Sequence, residues 1–184
     1  MALVAPILAL LAVLALPVRA AAAPAPGPTP VASEYEVKAA FLYNFAKFVE
    51  WPSAKAGDSF VVAVIGSDPF GDVLERTVSG KAVQGRKLAT RRVTRPEELE
   101  GADIVFVSSS EGARLPQVLK RLEGLPILTV GDMDNFVGRG GMVGFRVHDD
   151  NVRFDIDLDQ VGKSGLKMSS QLLRIARRVV SAGS

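Results

Sequence analysis

Cysteine is absent from the 184 residues of this chain, and histidine and tryptophan occur once each. Without cysteine the chain can form no disulfide, offers no thiol nucleophile and has no thiolate to hold a metal ion. The single histidine, His148, leaves zinc without the set of ligands that it usually requires. The lack of disulfides does not exclude export, because a domain of this length can be stable on its hydrophobic core alone.

A large excess of charge is also missing: 22 Lys and Arg stand against 20 Asp and Glu, for a net charge of +2. Proteins that bind the phosphate backbone of nucleic acids need a concentrated basic face, so nucleic acid is not an expected partner. Hydrophobic residues make up 48% of the chain and charged residues 23%. This composition is typical of one globular domain.

A long apolar run is present at the N-terminus, where residues 2–18 are nearly all Ala, Leu, Val, Ile and Pro. Small residues around Val18-Arg19-Ala20 then offer a cleavage point. We predict a signal peptide over residues 1–20, export to the periplasm, an Ala/Pro-rich flexible leader over 21–32 and a single α/β domain over 33–181. The alternative is an uncleaved membrane anchor of about 17 residues, at the lower edge of the length that spans a bilayer.

Helix and strand signals alternate through most of the predicted domain. Ser33 and Glu36 form a capping-box pattern that predicts a first helix ending near Glu50. The predicted apolar face of this helix carries Val37, Phe41, Phe45 and Phe48. Strand patterns follow at residues 60–65, 86–93, 103–107 and 126–130, with helix patterns between them. Such alternation predicts parallel pairing through right-handed crossovers, and therefore a three-layer α/β sandwich with a mostly parallel sheet.

The C-terminal part departs from this alternation. Two predicted strands, 142–147 and 152–158, are separated by too few residues for a crossover, so we expect an antiparallel hairpin. From Gly165 onwards, apolar residues recur at helical spacing and predict a closing amphipathic helix that packs back on the sheet. The apolar stripe of this helix consists of Met168, Leu172, Ile175, Ala176 and Val179.

Motifs that carry catalysis are incomplete in this chain. Gly66–Gly71 has the glycine spacing of a phosphate-binding loop, but Asp72-Val73 replaces the lysine that should follow. Ser110 lacks the preceding glycine of a hydrolase nucleophile elbow, and His148 falls in the predicted hairpin turn. We therefore expect that the protein is not an enzyme.

The acidic residues form patterns that resemble metal sites, but these patterns are also incomplete. Three aspartates alternate like the start of a calcium loop: Asp155, Asp157 and Asp159. Gln160 and Leu166 stand where that loop needs glycine and glutamate, so an exposed strand face is the favoured interpretation. Asp132 and Asp134 follow a predicted strand, where they form either a carboxylate pair or, as we favour, a cap for the next short helix. No metal and no cofactor is expected.

One small-molecule site follows from the predicted topology. Open parallel sheets bind ligands outside the carboxyl ends of their strands, and small or polar residues follow those ends here. The candidate ligand-binding residues are Ser67, Ser108, Ser109, Ser110 and Asp132. The alternative is that Ser and Gly at these positions simply form tight turns.

Six ordered blocks of the sequence carry a family resemblance. They are residues 34–48 with Trp51-Pro52, 106–110, 127–132, 140–146, 152–158 and 165–170. Together these blocks resemble the YfiR-like periplasmic proteins, over nearly the whole predicted domain.

The resemblance implies a homodimeric α/β protein of the periplasm. In the best-known members the protein represses an inner-membrane diguanylate cyclase by binding that enzyme's periplasmic sensor domain. Release of the cyclase raises cyclic di-GMP and promotes biofilm formation. Members that respond to redox conditions use cysteines, so that mechanism does not carry over to this chain. The competing functions are a small-molecule-binding or sensory module that uses the strand-end site, and a hydrolase, for which the sequence supplies no set of catalytic residues.

The closing segment is the candidate surface for a protein partner, because an amphipathic helix can dock into a groove of another protein. The candidate partner-binding residues are Leu166, Met168, Leu172 and Leu173. The alternative is that all four belong to the core, and their exposure decides between the two.

Overall fold

The computed structural model describes residues 33–52, 58–149 and 151–181. The predicted signal peptide (1–20) and leader (21–32) lie outside these ranges. Within them, no helix combines the length and the apolar character that crossing a bilayer requires.

The described residues form five α-helices and ten strands. The helices are α1 (Glu34–Phe48), α2 (Val73–Val78), α3 (Leu115–Leu122), α4 (Leu158–Lys163) and α5 (Ser170–Ile175). The strands are β1 (Val49–Glu50), β2 (Ser59–Ile65), β3 (Ala82–Val83), β4 (Arg86–Val93), β5 (Ile104–Val107), β6 (Leu128–Gly131), β7 (Val143–His148), β8 (Asn151–Asp157), β9 (Lys167–Met168) and β10 (Arg178–Val180). Short 3-10 helices lie at Pro96–Leu99, Ser109–Glu111 and Val137–Arg139.

Eight of these strands form one sheet in the order β10-β8-β7-β6-β5-β2-β4-β3. Strands β2, β4, β5, β6 and β7 run parallel to one another. Strand β8 runs antiparallel to β7, and β10 runs parallel to β8. The short β1 and β9 pair separately as an antiparallel ribbon. The predicted mostly parallel sheet with a C-terminal antiparallel hairpin is confirmed.

Helices cover both faces of the sheet, as a three-layer sandwich requires. Successive residues of β2 alternate between two apolar clusters: Val62 and Val64 belong to one, Ala63 and Ile65 to the other. Helices α1 and α2 contribute to the first cluster. Helix α3 and the 3-10 helix at Pro96–Leu99 contribute to the second cluster. Strands buried on both sides explain why the sequence reads as continuous apolar runs rather than as alternation.

Helix α1 has the predicted cap but a different buried face. Ser33 and Glu36 form the capping box. The buried residues of the helix are Lys38, Ala39, Leu42, Phe45 and Ala46, so of the predicted stripe Val37, Phe41, Phe45 and Phe48 only Phe45 is fully buried. The other three pack partly buried at the margin of the first cluster. The buried face is centred elsewhere because α1 presents its small residues, Ala39 and Ala46, to the sheet.

Glycines beside Phe136 set the packing between β6 and β7. Phe136 is buried in the second cluster, and its ring occupies the space where side chains of Gly131 and Gly141 would stand. A Cβ atom at Gly131 would lie 2.6 Å from the ring, and one at Gly141 would lie 2.1 Å from it. Neither glycine has a positive φ, so these positions require glycine for space and not for backbone conformation.

The closing segment is correctly predicted to contain a helix, but the helix is shorter than its pattern suggested. Helix α5 covers six residues, between β9 and β10. Ser169 caps its start, and Ala176 ends it in extended conformation. Val179, predicted on the helical stripe, lies instead in β10 opposite Ile156. Pairing with β8 satisfies a row of backbone groups at the sheet edge, and this tertiary gain overrides the helical periodicity.

A buried ion pair joins three strands near their amino ends. The Asp103 carboxylate is fully buried before β5. It accepts two hydrogen bonds of 2.9 Å from the guanidinium of Arg86 on β4, and one of 2.8 Å from the backbone N–H of Val61 on β2. The Arg86 guanidinium also stacks 5.3 Å from the centroid of the Phe60 ring. Asp103 therefore fixes the relative positions of β2, β4 and β5.

Candidate functional site

The predicted ligand-binding serines bond mainly to one another. The backbone N–H of Ser67 donates to Ser110 Oγ over 2.9 Å, and the Ser110 hydroxyl donates to Ser108 Oγ over 3.2 Å. Ser108 also caps the following 3-10 helix, while Ser109 is exposed. A Cβ atom at Gly66 would lie 2.5 Å from Ser110 Oγ, so the turns after β2 and β5 are packed against each other. These contacts support the tight-turn interpretation of Ser67, Ser108, Ser109 and Ser110.

Asp132 lies at the same edge of the sheet but bonds to helix α1. Its Oδ2 accepts a 2.7 Å hydrogen bond from Lys38 Nζ and a 3.1 Å hydrogen bond from the Tyr35 hydroxyl. Lys38 is buried and also forms an ion pair with Glu34. The expectation that Asp132 caps the next short helix is wrong, because Phe136 lies at the N-cap of the helix Val137–Arg139 and no side chain caps it. Asp134 is exposed and pairs with Arg146, so the two aspartates do not form a catalytic pair.

The pKa values of Tyr35 and Lys38, which both bond to Asp132, are raised in the folded protein. Burial raises the pKa of the Tyr35 hydroxyl, and the negative charge of Asp132 raises it further. For Lys38, burial acts to lower the pKa, but the hydrogen bonds to the carboxylates of Asp132 and Glu34 outweigh burial and raise it. The folded protein thus holds both protons more tightly than the unfolded chain. The cluster links the N-terminal end of α1 to the carboxyl end of β6.

Stability should therefore fall as the pH rises above the ordinary tyrosine and lysine values of 10.0 and 10.5. A pKa raised in the folded state stabilises the protein below the unfolded value, and this contribution is lost as the pH rises through the folded value. We expect Tyr35→Phe to be less stable than the wild type at pH 8, because it lacks the hydrogen bond to Asp132. The difference in stability between Tyr35→Phe and the wild type should become smaller at pH 11, because ionisation of the wild-type phenol opposes its burial.

Urea denaturation at pH 8 and pH 11 measures this difference in the free energy of unfolding. Tyr43→Phe is the matched control, since it removes the other tyrosine hydroxyl of the chain at a position that does not contact Asp132. A stability difference for Tyr35→Phe that stays constant or widens at pH 11 would contradict the proposed linkage.

Two of the three alternating aspartates, Asp155 and Asp157, have separate structural roles. Asp155 is buried and accepts a 2.8 Å hydrogen bond from Arg177 Nε. This hydrogen bond and the Asp155 charge raise the pKa of Arg177. Asp157 caps α4 by accepting from the Gln160 N–H over 3.0 Å. The favoured interpretation of an exposed strand face is therefore wrong for Asp155. Among the described residues, no group of three or more His, Cys, Asp or Glu side chains is placed to hold a metal ion.

The predicted partner-binding residues lie in or against the core. Leu166 and Leu172 are buried, and Met168 and Leu173 are partly buried against the first cluster. Their burial favours the alternative that all four belong to the core, since the short α5 and the β1–β9 ribbon fold them inward.

Other apolar residues of the C-terminal part are exposed. Of the large hydrophobic side chains in the described ranges, the exposed ones are Leu125, Val147, Ile175 and Val179. We name Val147, Ile175 and Val179 the tail patch. Val147 pairs with Val152 and Val179 pairs with Ile156 across β8, while the Arg177 N–H bonds to Phe154 O. Ile175 is the last residue of α5, two residues before Arg177.

Sequence reasoning missed the role of Lys38 and of the tail patch. Lys38 lies four and seven residues before the buried Leu42 and Phe45, so its helical spacing placed it on the buried face. A buried lysine needs a carboxylate partner, and this requirement was the available signal. The exposure of Ile175 had no signal, because it depends on where α5 ends.

Two solved structures resemble the fold. A conserved domain protein from Vibrio cholerae O1 biovar eltor is 9% identical with a TM-score of 0.52, and the match covers 80% of this chain and 60% of that one. The ABC domain from Streptococcus pneumonia in complex with L-Trp is 11% identical with a TM-score of 0.48, covering 66% of this chain and 55% of that one. The chain thus spans less than two thirds of either structure. At these identities, the Vibrio cholerae match supports the α/β fold alone, and the second likeness supports no inference.

A family model described as YfiR/HmsC-like matches residues 35–177. The match runs from the first turn of α1 to the arginine that pairs with Asp155, and it includes the glycines beside Phe136. It covers most of the chain and nearly all of the described fold. This chain therefore belongs to the YfiR/HmsC-like family, whose members are regulatory rather than catalytic.

Proposed function

We propose that this protein is a periplasmic regulator that represses an inner-membrane diguanylate cyclase by binding the cyclase's periplasmic sensor domain. The observation that carries the proposal is the family match over residues 35–177. Family membership suggests a periplasmic regulator in cyclic di-GMP signalling. The specific partner, the export and a homodimeric state follow the resemblance of the sequence and are parts of the proposal.

The tail patch supports a protein partner at the C-terminal part of the fold. Ile175 is 52% exposed and Val147 is 51% exposed, and Val147 pairs with the buried Val152 of β8. Val147 and Val179 lie on the two strands that flank β8, so the tail patch is a set of exposed apolar side chains spread over this end of the sheet, and exposed apolar surface indicates an interaction site. We assign the tail patch to the cyclase sensor domain, in place of the four buried or half-buried residues that the sequence suggested.

One arginine beside the tail patch indicates the chemistry of its partner. Arg174 is exposed next to Ile175 on α5, whereas the exposed Arg153 and Arg178 alternate with Val152 and Val179 and so lie on the opposite face of the sheet. Arginine is enriched at protein interfaces because its planar guanidinium forms bidentate hydrogen bonds with a carboxylate and its aliphatic stem packs on apolar surface. The partner surface should therefore carry apolar side chains with an acidic residue opposite Arg174.

Replacing Ile175 and Val179 by aspartate should abolish repression. The double variant Ile175→Asp/Val179→Asp places two carboxylates in the apolar centre of the interface, where burial of unpaired charge is strongly unfavourable. We expect at least a 100-fold loss of affinity for the purified sensor domain. In cells, cyclic di-GMP should rise to the level of a deletion strain. Isothermal titration calorimetry measures the first effect and nucleotide extraction the second.

Leu125→Asp is the matched control, because Leu125 and Val179 are equally exposed, at 37% each. The control should bind and repress like the wild type, and both variants should keep the wild-type circular dichroism spectrum. Normal cyclic di-GMP in the deletion strain would refute repression of a cyclase. Unchanged affinity of the double variant would refute the assignment of the tail patch.

The export and the homodimer have direct tests. A fusion of residues 1–32 to alkaline phosphatase should be active if the segment directs export. Sedimentation velocity should give twice the protomer mass in solution. The alternative function, ligand binding by the serines at the strand ends, is less well supported because those serines bond to each other.

A further inference from the structure

We infer that a cleft between α3 and α4 binds a small organic anion with an apolar body. The cleft has a volume of about 580 Å³, within the range of small-molecule sites in proteins. It lies at the amino end of β6, opposite the edge that holds the serines and Asp132. This site is separate from the tail patch, and the inference goes beyond the proposed repression.

Hydrogen-bond donors dominate the lining of this cleft. Its charged residues are Lys120, Glu123, Arg139 and Lys163. Neither lysine forms an ion pair with a carboxylate among the described residues, and Glu123 pairs with neither of them. Lysines commonly occupy the last turn of a helix, as both of these do. Here the two lysines lie on different helices, Lys120 on α3 and Lys163 on α4, and both line the same cleft.

The arginine of the cleft is held in place by contacts outside it. Arg139 donates a 2.6 Å hydrogen bond to the Gly112 carbonyl oxygen and lies 3.5 Å from Met133 Sδ. These contacts direct the guanidinium to residues that do not line the cleft, so Lys120 and Lys163 are the cations that would bind the anion, and Arg139 adds a positive charge nearby.

Two nearly buried hydroxyl groups lie at the floor of the cleft. Thr129 is 2% exposed, and its Oγ1 accepts a 3.1 Å hydrogen bond from the Met142 N–H, which leaves the hydroxyl hydrogen available to donate. Ser164 is 6% exposed, and its hydroxyl forms no hydrogen bond with another described residue. Each hydroxyl would donate a hydrogen bond to a ligand oxygen placed in the cleft.

Apart from Gln160, the remaining side chains of the lining are apolar, and they select the body of the ligand. Pro116, Leu119, Leu122 and Met142 line the same cleft. A ligand with a carboxylate or phosphate head and a ring-sized apolar part would meet donors at one end and aliphatic side chains at the other. Inorganic phosphate would use the donors alone and should bind more weakly.

NMR titration of the ¹⁵N-labelled protein tests the site with defined probes. The probes are phenylacetate, phenyl phosphate, inorganic phosphate and the neutral analogue phenylacetamide. We expect phenylacetate or phenyl phosphate to shift the amide signals of α3, α4 and Gly140, with at least tenfold weaker binding of phenylacetamide. The preferred head group, carboxylate or phosphate, is read from the tighter of the two anions.

Two variants connect the signal shifts to the cleft. Lys120→Gln/Lys163→Gln should weaken anion binding at least tenfold, and Leu119→Trp should block it by filling the cleft. Lys87→Gln, an exposed lysine on β4, is the control and should bind like the wild type. The inference is overturned if no anion shifts these signals at 10 mM, if phenylacetamide binds as well as the anions, or if both variants bind normally. These outcomes leave the repression experiment unaffected, since the probes do not involve the cyclase.

Discussion

Gly141→Ala is expected to destabilise the protein by about 3 kcal/mol, although it adds one methyl group. The new Cβ would lie 2.1 Å from the Phe136 ring, far inside van der Waals contact. Phe136 is buried, and Gly131 confines its ring from the β6 side. The ring cannot move away without displacing the second core cluster. Thermal unfolding should show a fall in Tm of roughly 6–12 °C for a domain of this size.

Gly162→Ala is the matched control for this prediction. Gly162 lies in α4 with open space around its Cα, so alanine there should stabilise the protein by about 0.5–1 kcal/mol through helix propensity. A double-mutant cycle tests the cause. In a Phe136→Ala background the ring is absent, and Gly141→Ala should then have little further effect. An equal loss of stability in both backgrounds would show that the ring is not the source of strain.

Arg86→Met should destabilise the protein by about 3–5 kcal/mol, the usual effect of removing one partner of a buried ion pair. The substitution removes the guanidinium that donates two hydrogen bonds of 2.9 Å to Asp103. The Asp103 carboxylate is fully buried, so water cannot replace the lost donors without opening the sheet. Denaturation in urea measures the change in the free energy of unfolding.

The double variant Arg86→Met/Asp103→Asn should recover most of the lost stability. Asparagine removes the buried charge and keeps an oxygen that can accept from the Val61 N–H. Arg76→Met is the control, because the ion pair of Arg76 with Asp72 is exposed on both sides, and such pairs contribute about 0–1 kcal/mol. If Arg86→Met and Arg76→Met have similar effects, the buried pair does not hold β2, β4 and β5 together.

The parts of the fold that follow from local pattern were predictable. Ser33 and Glu36 specify the start of α1 because the capping box needs only residues close in sequence. The hairpin of β7 and β8 followed from a connection too short for any crossover. The glycines at positions 131 and 141 were part of the recognised blocks, but their purpose was hidden, since it depends on the ring of Phe136.

The candidate site was less predictable, because exposure and contacts between distant residues decide it. Asp132 was expected to cap a helix, and it pairs instead with Lys38, 94 residues earlier in the chain. The exposed apolar residues of the tail are Ile175 and Val179, not Leu166 and Leu172. Periodicity predicts which residues share a helix face, but it cannot show which face the sheet covers.

The sequence by itself determined the α/β class, the succession of the main strands along the chain, the antiparallel hairpin and the family. These properties depend on hydrophobic period, on turn length and on residues near one another in the chain. The tertiary structure alone decided where the closing helix ends, which side chains of the tail remain exposed and which cations line the cleft between α3 and α4. Those properties depend on competition between distant segments for the same sheet edge and the same buried space. A local sequence pattern does not predict which segment occupies them.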